Sequence, residues 1–110
     1  MSGVDEADFH DRVVAQLRDA FGDDRVRSEV WLDGPERRLD VAVDLPELGT
    51  GLAVELEDRP ADCIHGAGQA LVYARTLGYL PVVGYPAAAA DGDLAPELDA
   101  LSERVQVVAL

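Results

Sequence analysis

From residue 38 to residue 57 the chain alternates apolar and polar residues twice, with a Pro- and Gly-bearing break between the two runs. In the first run Leu39, Val41, Val43 and Leu45 fall on one side of an extended chain, and Asp40, Ala42 and Asp44 on the other. After the turn at 46–51, Leu52, Val54 and Leu56 repeat the apolar side and Ala53, Glu55 and Glu57 the opposite one. A period of two is useless to a helix, so this stretch predicts two strands, and the short break makes them a hairpin. The hairpin brings Asp40 level with Glu55 and Glu57, with Asp44 on the same side nearer the turn, so acidic side chains converge on one face of the sheet.

The remaining elements follow from the same reading. Residues 5–21 carry Phe9, Val13, Val14, Leu17 and Phe21 at helical spacing, and Gly22 supplies a stop. Residues 25–32 alternate Val26, Ser28, Val30 and Leu32 with Arg27, Glu29 and Trp31, and end at Asp33-Gly34-Pro35, which predicts a strand and a turn. Residues 60–77 predict a helix with Pro60 near its start and Gly78 at its end. Leu80-Pro81-Val82-Val83-Gly84-Tyr85 predicts a short strand buried on both faces. A helix over 95–104 and a strand over 105–110 complete the chain. The expected fold is α/β: an α-β-β-β-α-β core with a central mixed sheet, extended by a C-terminal helix and strand, in a single domain over 1–110. That order is neither the alternation of a dinucleotide-binding fold nor a ferredoxin-like repeat.

Composition limits the setting. There are 22 acidic residues against nine basic ones, a net charge of −13; every basic residue is arginine and lysine is absent. Such acidity can mark disorder, but a disordered chain would not carry periodic apolar patterning. A folded protein of a salt-accumulating cytoplasm, as in a halophilic archaeon, fits: at molar salt the Debye length is about 3 Å and repulsion between surface carboxylates is nearly abolished. An acidic protein of ordinary salt, or a mimic of nucleic acid, is the alternative reading. The N-terminal residues lack a basic segment followed by an apolar run, and no apolar stretch reaches about 18 residues, so neither a signal peptide nor a membrane span is expected and the expected location is cytoplasmic. Cys63 is the one cysteine, which excludes an internal disulfide and a cysteine-based zinc cluster.

Converging carboxylates repel one another unless a hard divalent cation lies between them, and such ions can activate water for phosphoryl displacement. In a strongly acidic chain, carboxylates on a wet hairpin face are also expected from composition alone. The helix over 60–77 weighs toward a site: Gly66, Ala67, Gly68, Ala70 and Ala74 let it approach a sheet closely, and Gln69 and Tyr73, four apart on one face, are not required by packing.

Arg37-Arg38-Leu39-Asp40-Val41-Ala42-Val43, then Leu52-Ala53-Val54-Glu55-Leu56-Glu57, then Gly68-Gln69-Ala70-Leu71-Val72-Tyr73-Ala74 resemble the PD-(D/E)XK nuclease superfamily, in its RecB-type branch. The resemblance covers residues 5–85 and implies a restriction-endonuclease-like core. It implies that Asp40 and Glu55 ligate Mg²⁺ or Mn²⁺, with the backbone carbonyl of Leu56 as a further ligand. Gln69 and Tyr73 would then steady the site and touch the DNA backbone. Glu57 stands where the family has lysine, a residue that positions the attacking water and stabilises developing negative charge. A glutamate there can serve as base or extra ligand, as in some restriction-type members, or can mark a domain that kept the fold and lost the chemistry. Arg59 is the nearest cation, Arg37 and Arg38 are the candidate phosphate contacts, and Glu6 is a weak candidate for the acidic residue some members carry on the first helix. The implied functions are a metal-dependent DNA nuclease or a nuclease-fold module for DNA binding or assembly; the short chain favours a homodimer or larger complex. His10 and His65 lack metal-ligand spacing and read as surface residues, Cys63 as a small apolar filler, and Trp31 as an edge or interface residue.

Overall fold

A computed structural model describes residues 6–32, 38–89 and 104–110. The first helix, α1 (Glu6–Phe21), leads into β1 (Val26–Trp31), β2 (Arg38–Leu45) and β3 (Thr50–Leu56). Helix α2 (Cys63–Leu77), β4 (Leu80–Tyr85) and β5 (Gln106–Ala109) follow. The five strands form one mixed sheet in the order β1-β2-β3-β4-β5, antiparallel as far as β3 and parallel from there to β5. Parallel neighbours need a crossover, and α2 supplies it between β3 and β4. The β2 bounds are those read from the alternation, and the fold is α/β with a mixed sheet. The helix expected at 95–104 and the turn at Asp33-Gly34-Pro35 lie outside the described residues.

Helices cover both faces of the sheet, as the alternation requires. Phe9, Val13 and Val14 of α1 pack on Val26, Val41, Val43, Val54 and Leu56. On the other face Ala70, Tyr73 and Ala74 of α2 lie over Ala42, Ala53 and Val83, with Cys63, Ala67 and Val105 alongside. A small-residue helix meets an alanine-lined strip of sheet, so backbone approaches backbone closely; the α1 face uses larger side chains, each fully buried one contributing about 1.5–3 kcal/mol. Helix α2 begins after a 3-10 turn at Pro60–Asp62, three residues later than the sequence pattern suggests, and Gly78 ends it in the left-handed conformation with its N–H donating to the Ala74 carbonyl.

Two expectations are corrected here. Strand β4 is not buried on both faces: only Val83 and Gly84 are buried, and Leu80 at its start is exposed. Leu39 does not share a face with Val41 and Val43; it is buried with Ala42, Ala53 and Tyr73, and Val30 and Leu32 pack against that group. The alternation breaks at the step between them, where Glu29 of β1 has φ 52°.

At the turn end of the hairpin, Arg27 grips Asp44 with two hydrogen bonds of 2.9 and 2.8 Å, and the Tyr79 hydroxyl donates to the same carboxylate. The guanidinium holds the Asp44 carboxyl below its usual range. Asp44 is therefore a tie between β1, β2 and the segment after α2. Gly51 sits beneath it: a Cβ there would fall on the Val43 carbonyl oxygen and, at 2.5 Å, on the Tyr79 ring. Gly51→Ala should cost about 3 kcal/mol, because backbone cannot yield as a flexible side chain can. Denaturant unfolding in molar KCl measures it, and a loss within error would show that the Tyr79 ring swings aside freely.

Candidate functional site

The β2–β3 ladder runs from Leu45 opposite Thr50 to Val41 opposite Val54 and stops there, one step short of Asp40 and Glu55. The strands part at that step, and side chains fill the gap. Asp40 Oδ2 accepts a hydrogen bond of 2.8 Å from the Leu56 backbone N–H, taking over a rung that backbone would otherwise supply. Glu55 lies against Asp40 on the α2 face, only 4% exposed, with its Oε1 buried and without a hydrogen-bond partner.

Two carboxyl groups this close and this dry cannot both ionise cheaply. Burial is the first cause, the charge of Asp40 and their mutual hydrogen bond follow, and Glu57 adds a smaller repulsion, against one opposing hydrogen bond from the Asp40 backbone. Together these push the Glu55 carboxyl up to about 9. At neutral pH the pair therefore holds a proton.

Glu57 is half-buried further along, where α2 passes closely over it. A Cβ on Gly66 would lie 2.8 Å from Glu57 Oε1 and 3.1 Å from Val83. Glycine at 66 thus gives Glu57 its room, which explains part of the small-residue pattern of α2. Glu57 acts on Glu55 through its charge, but among the described residues no group of three or more His, Cys, Asp and Glu side chains could hold a metal ion. The expected three-carboxylate cluster resolves into a contacting pair, Asp40 and Glu55, with Glu57 outside it. Leu56 contributes its N–H to Asp40 while its side chain is buried toward α1.

Tyr73 departs from the sequence reading. It is buried against Leu39, Ala42 and Ala53 and belongs to the packing, so its place in the helix does not by itself require a site. Gln69, half-buried, lines with His65, Gly68, Val72 and Tyr73 a shallow hollow of about 330 Å³ on α2. Of the residues expected to carry chemistry, then, Asp40 and Glu55 touch, Glu57 stands near, Tyr73 is in the adjoining core and Gln69 is at its outer margin.

The other candidates sort as follows. Burial, then the charges of Glu57 and Asp62, push the Cys63 thiol up to about 11, so it stays a buried thiol and not a nucleophile. Arg59 is engaged by Asp62 at 3.0 Å. Arg38 lies over the Trp31 ring, 5.9 Å from its centre, and 3.6 Å from Glu29. Trp31 is 60% exposed on the edge strand. His65 is exposed, whereas His10 is half-buried with Nε2 unpartnered, so the surface reading holds for one histidine only. Arg37 and the Glu6 side chain lie outside the described residues. No described helix is long and apolar enough to cross a membrane.

The residue missed by sequence reasoning is Glu29, which stands opposite Asp40 in the β1–β2 register. No pattern signals it, since a glutamate in an alternating strand is ordinary. Compared with protein-family models, with curated proteins and with solved structures, the chain matches none.

Proposed function

We propose that Asp40 and Glu55 form the divalent-metal centre of a phosphodiester-cleaving domain of the PD-(D/E)XK type, acting on DNA in a salt-rich cytoplasm. The observation that carries this reading is the Asp40–Glu55 pair itself: two carboxyls pressed together at the one step where β2 and β3 part, one of them buried with an unpartnered oxygen. A structural role would be better served by alanine or valine at 55, since an unpartnered buried carboxyl oxygen costs stability. The helix–three strands–helix–strand order and the β1-β2-β3-β4 neighbourhood support the same lineage.

The donor set fits a small hard cation. Asp40 and Glu55 would each give an oxygen, the Leu56 backbone carbonyl could give a third, and water would complete the octahedron that Mg²⁺ or Mn²⁺ prefers. Bound there, the ion would supply charge stabilisation and an acidified water. The protein's own part is to keep the two carboxyls at one point, exclude bulk water on the α2 side, and place Glu57 beside them, where it could take a proton from water. A module that binds DNA or assembles without cutting is the second reading, favoured by one feature: Glu57 in place of lysine.

Asp40→Asn should weaken Mn²⁺ binding at least tenfold and abolish cleavage of plasmid or oligonucleotide DNA, assayed in molar KCl so that folding is not the variable. Glu57→Lys separates the readings. A gain of cleavage would indicate a lapsed site whose frame survives, and a loss would indicate that Glu57 already works as base or ligand. Wild-type protein that binds no Mn²⁺ at millimolar ion, while folded, would end the metal reading.

A further inference from the structure

Glu29 is the one described non-glycine residue in the left-handed region, at φ 52°, and it lies in the middle of a strand. A left-handed glutamate is costly, and such residues persist where the surrounding structure over-determines them. The pairing of β1 with β2 shows what it does. Ser28 is opposite Val41 and Val30 opposite Leu39, so the register is the same on both sides; between them Glu29 and Asp40 stand opposite each other without a ladder pair. The faces, however, exchange at that step. Val26, Val41 and Val43 belong to the core under α1, whereas Val30, Leu32 and Leu39 belong with Tyr73 under α2.

One irregular residue in each strand, placed opposite, lets both strands switch faces without losing register. The switch in β2 falls on Asp40, and the β2–β3 ladder stops at the same step. We infer that Glu29 is a positioning residue: its left-handed backbone turns Asp40 out of the ladder, so that the Asp40 carboxyl takes the Leu56 N–H and lies against Glu55, whose carboxyl also meets the Asp40 backbone. The role is the backbone's, since the Glu29 side chain is exposed and reaches away to Arg38. A β-forming residue at 29 would favour continuous pairing of β1 with β2 and return Asp40 to the ladder.

The inference rests on the Asp40–Glu55 site for its functional meaning, but its test does not need metal. Asp40→Ala removes the acceptor of the Leu56 N–H, so in the otherwise native protein the Leu56 amide should shift in the ¹⁵N–¹H spectrum and exchange with solvent at least tenfold faster. With Glu29→Thr, a β-branched residue suited to an exposed strand position, the same Asp40→Ala change should leave the Leu56 amide unmoved. With Glu29→Gly, which adopts φ 52° freely, the full response should return and the melting temperature should rise above wild type. If Glu29→Thr does not fold while Glu29→Gly does, the left-handed backbone is required and the inference stands.

A full Asp40 response in Glu29→Thr would overturn it, and so would loss of the response in Glu29→Gly, which would move the role to the side chain. Mn²⁺ titration of the same proteins separates the two readings. Tenfold weaker binding by Glu29→Thr with native binding by Glu29→Gly supports both. No Mn²⁺ binding by any of them, with the amide pattern as expected, retires the metal reading and leaves the positioning role in place.

Discussion

Glu55→Gln should stabilise the protein by about 3 kcal/mol at pH 7 and, on the proposed reading of the site, abolish cation binding. The sign follows from the proton. Burial and Asp40 push the folded-state Glu55 carboxyl up to about 9 from an ordinary value of 4.5. Between those values the folded state keeps a proton that the unfolded chain releases. This contribution to stability is therefore greatest below pH 4.5, declines as pH rises through the window, and levels off above about 9. Glutamine mimics the protonated acid and has nothing to release, so its stability should be flat over the same range. Denaturant unfolding at a series of pH values, in molar KCl to screen surface charge, measures the difference between the two slopes. Parallel slopes would mean that Glu55 ionises inside the fold as it does outside, and the dry pair would not exist.

On the proposed metal reading, the same proton couples cation binding to pH. A cation can bind only after it leaves, so Mn²⁺ affinity should rise with pH up to about 9, up to tenfold per pH step, and binding at neutral pH should release about one proton. Calorimetry in two buffers of different ionisation enthalpy counts that proton.

Much of this geometry was legible in the chain because it rests on period. The alternation over 38–45 and 52–57 fixes which residues share a face, and the turn between them sets the register, so Asp40 beside Glu55 follows from spacing alone. Glycine and alanine in α2 announce a close helix–sheet contact, which the structure places over Ala42, Ala53 and Glu57. What could not be read is a departure from period. Glu29 adopts a conformation its residue type disfavours, and the exchange of faces it produces moves Leu39 to the other core, contrary to the simple alternation. The packing of Tyr73, which the sequence did not call for, was hidden for a related reason. A tyrosine at helical spacing fits equally a core position and a site, and only the depth of the α2 contact decides between them. The exposure of Leu80 was misjudged because apolar composition does not say which positions of a strand are covered.

The largest effect of all should come from salt. The chain carries a net charge of −13 in 110 residues, with no lysine. Four ion pairs join described residues, each of them at least partly exposed: Arg25 to Glu47, Arg27 to Asp44, Arg38 to Glu29 and Arg59 to Asp62. Exposed pairs are each worth about 0–1 kcal/mol, too little to offset the self-repulsion of a net charge of −13. Against that stands a thin core whose α2 half is built largely of alanine, so that hydrophobic burial there is small. The balance should depend on screening. In dilute buffer, with a Debye length near 30 Å at 0.01 M, the protein should be unfolded or aggregated; at molar KCl, with a length of about 3 Å, it should fold cooperatively. Circular dichroism across a KCl titration, repeated with thermal melts, reads the transition directly. A melting temperature that does not change with salt would show that the core carries the fold unaided, and the acidity would then have to be explained by a partner and not by the solvent. Replacing KCl with an uncharged osmolyte distinguishes screening from general stabilisation: screening requires ions, so sucrose at matched osmolality should fail to rescue the fold.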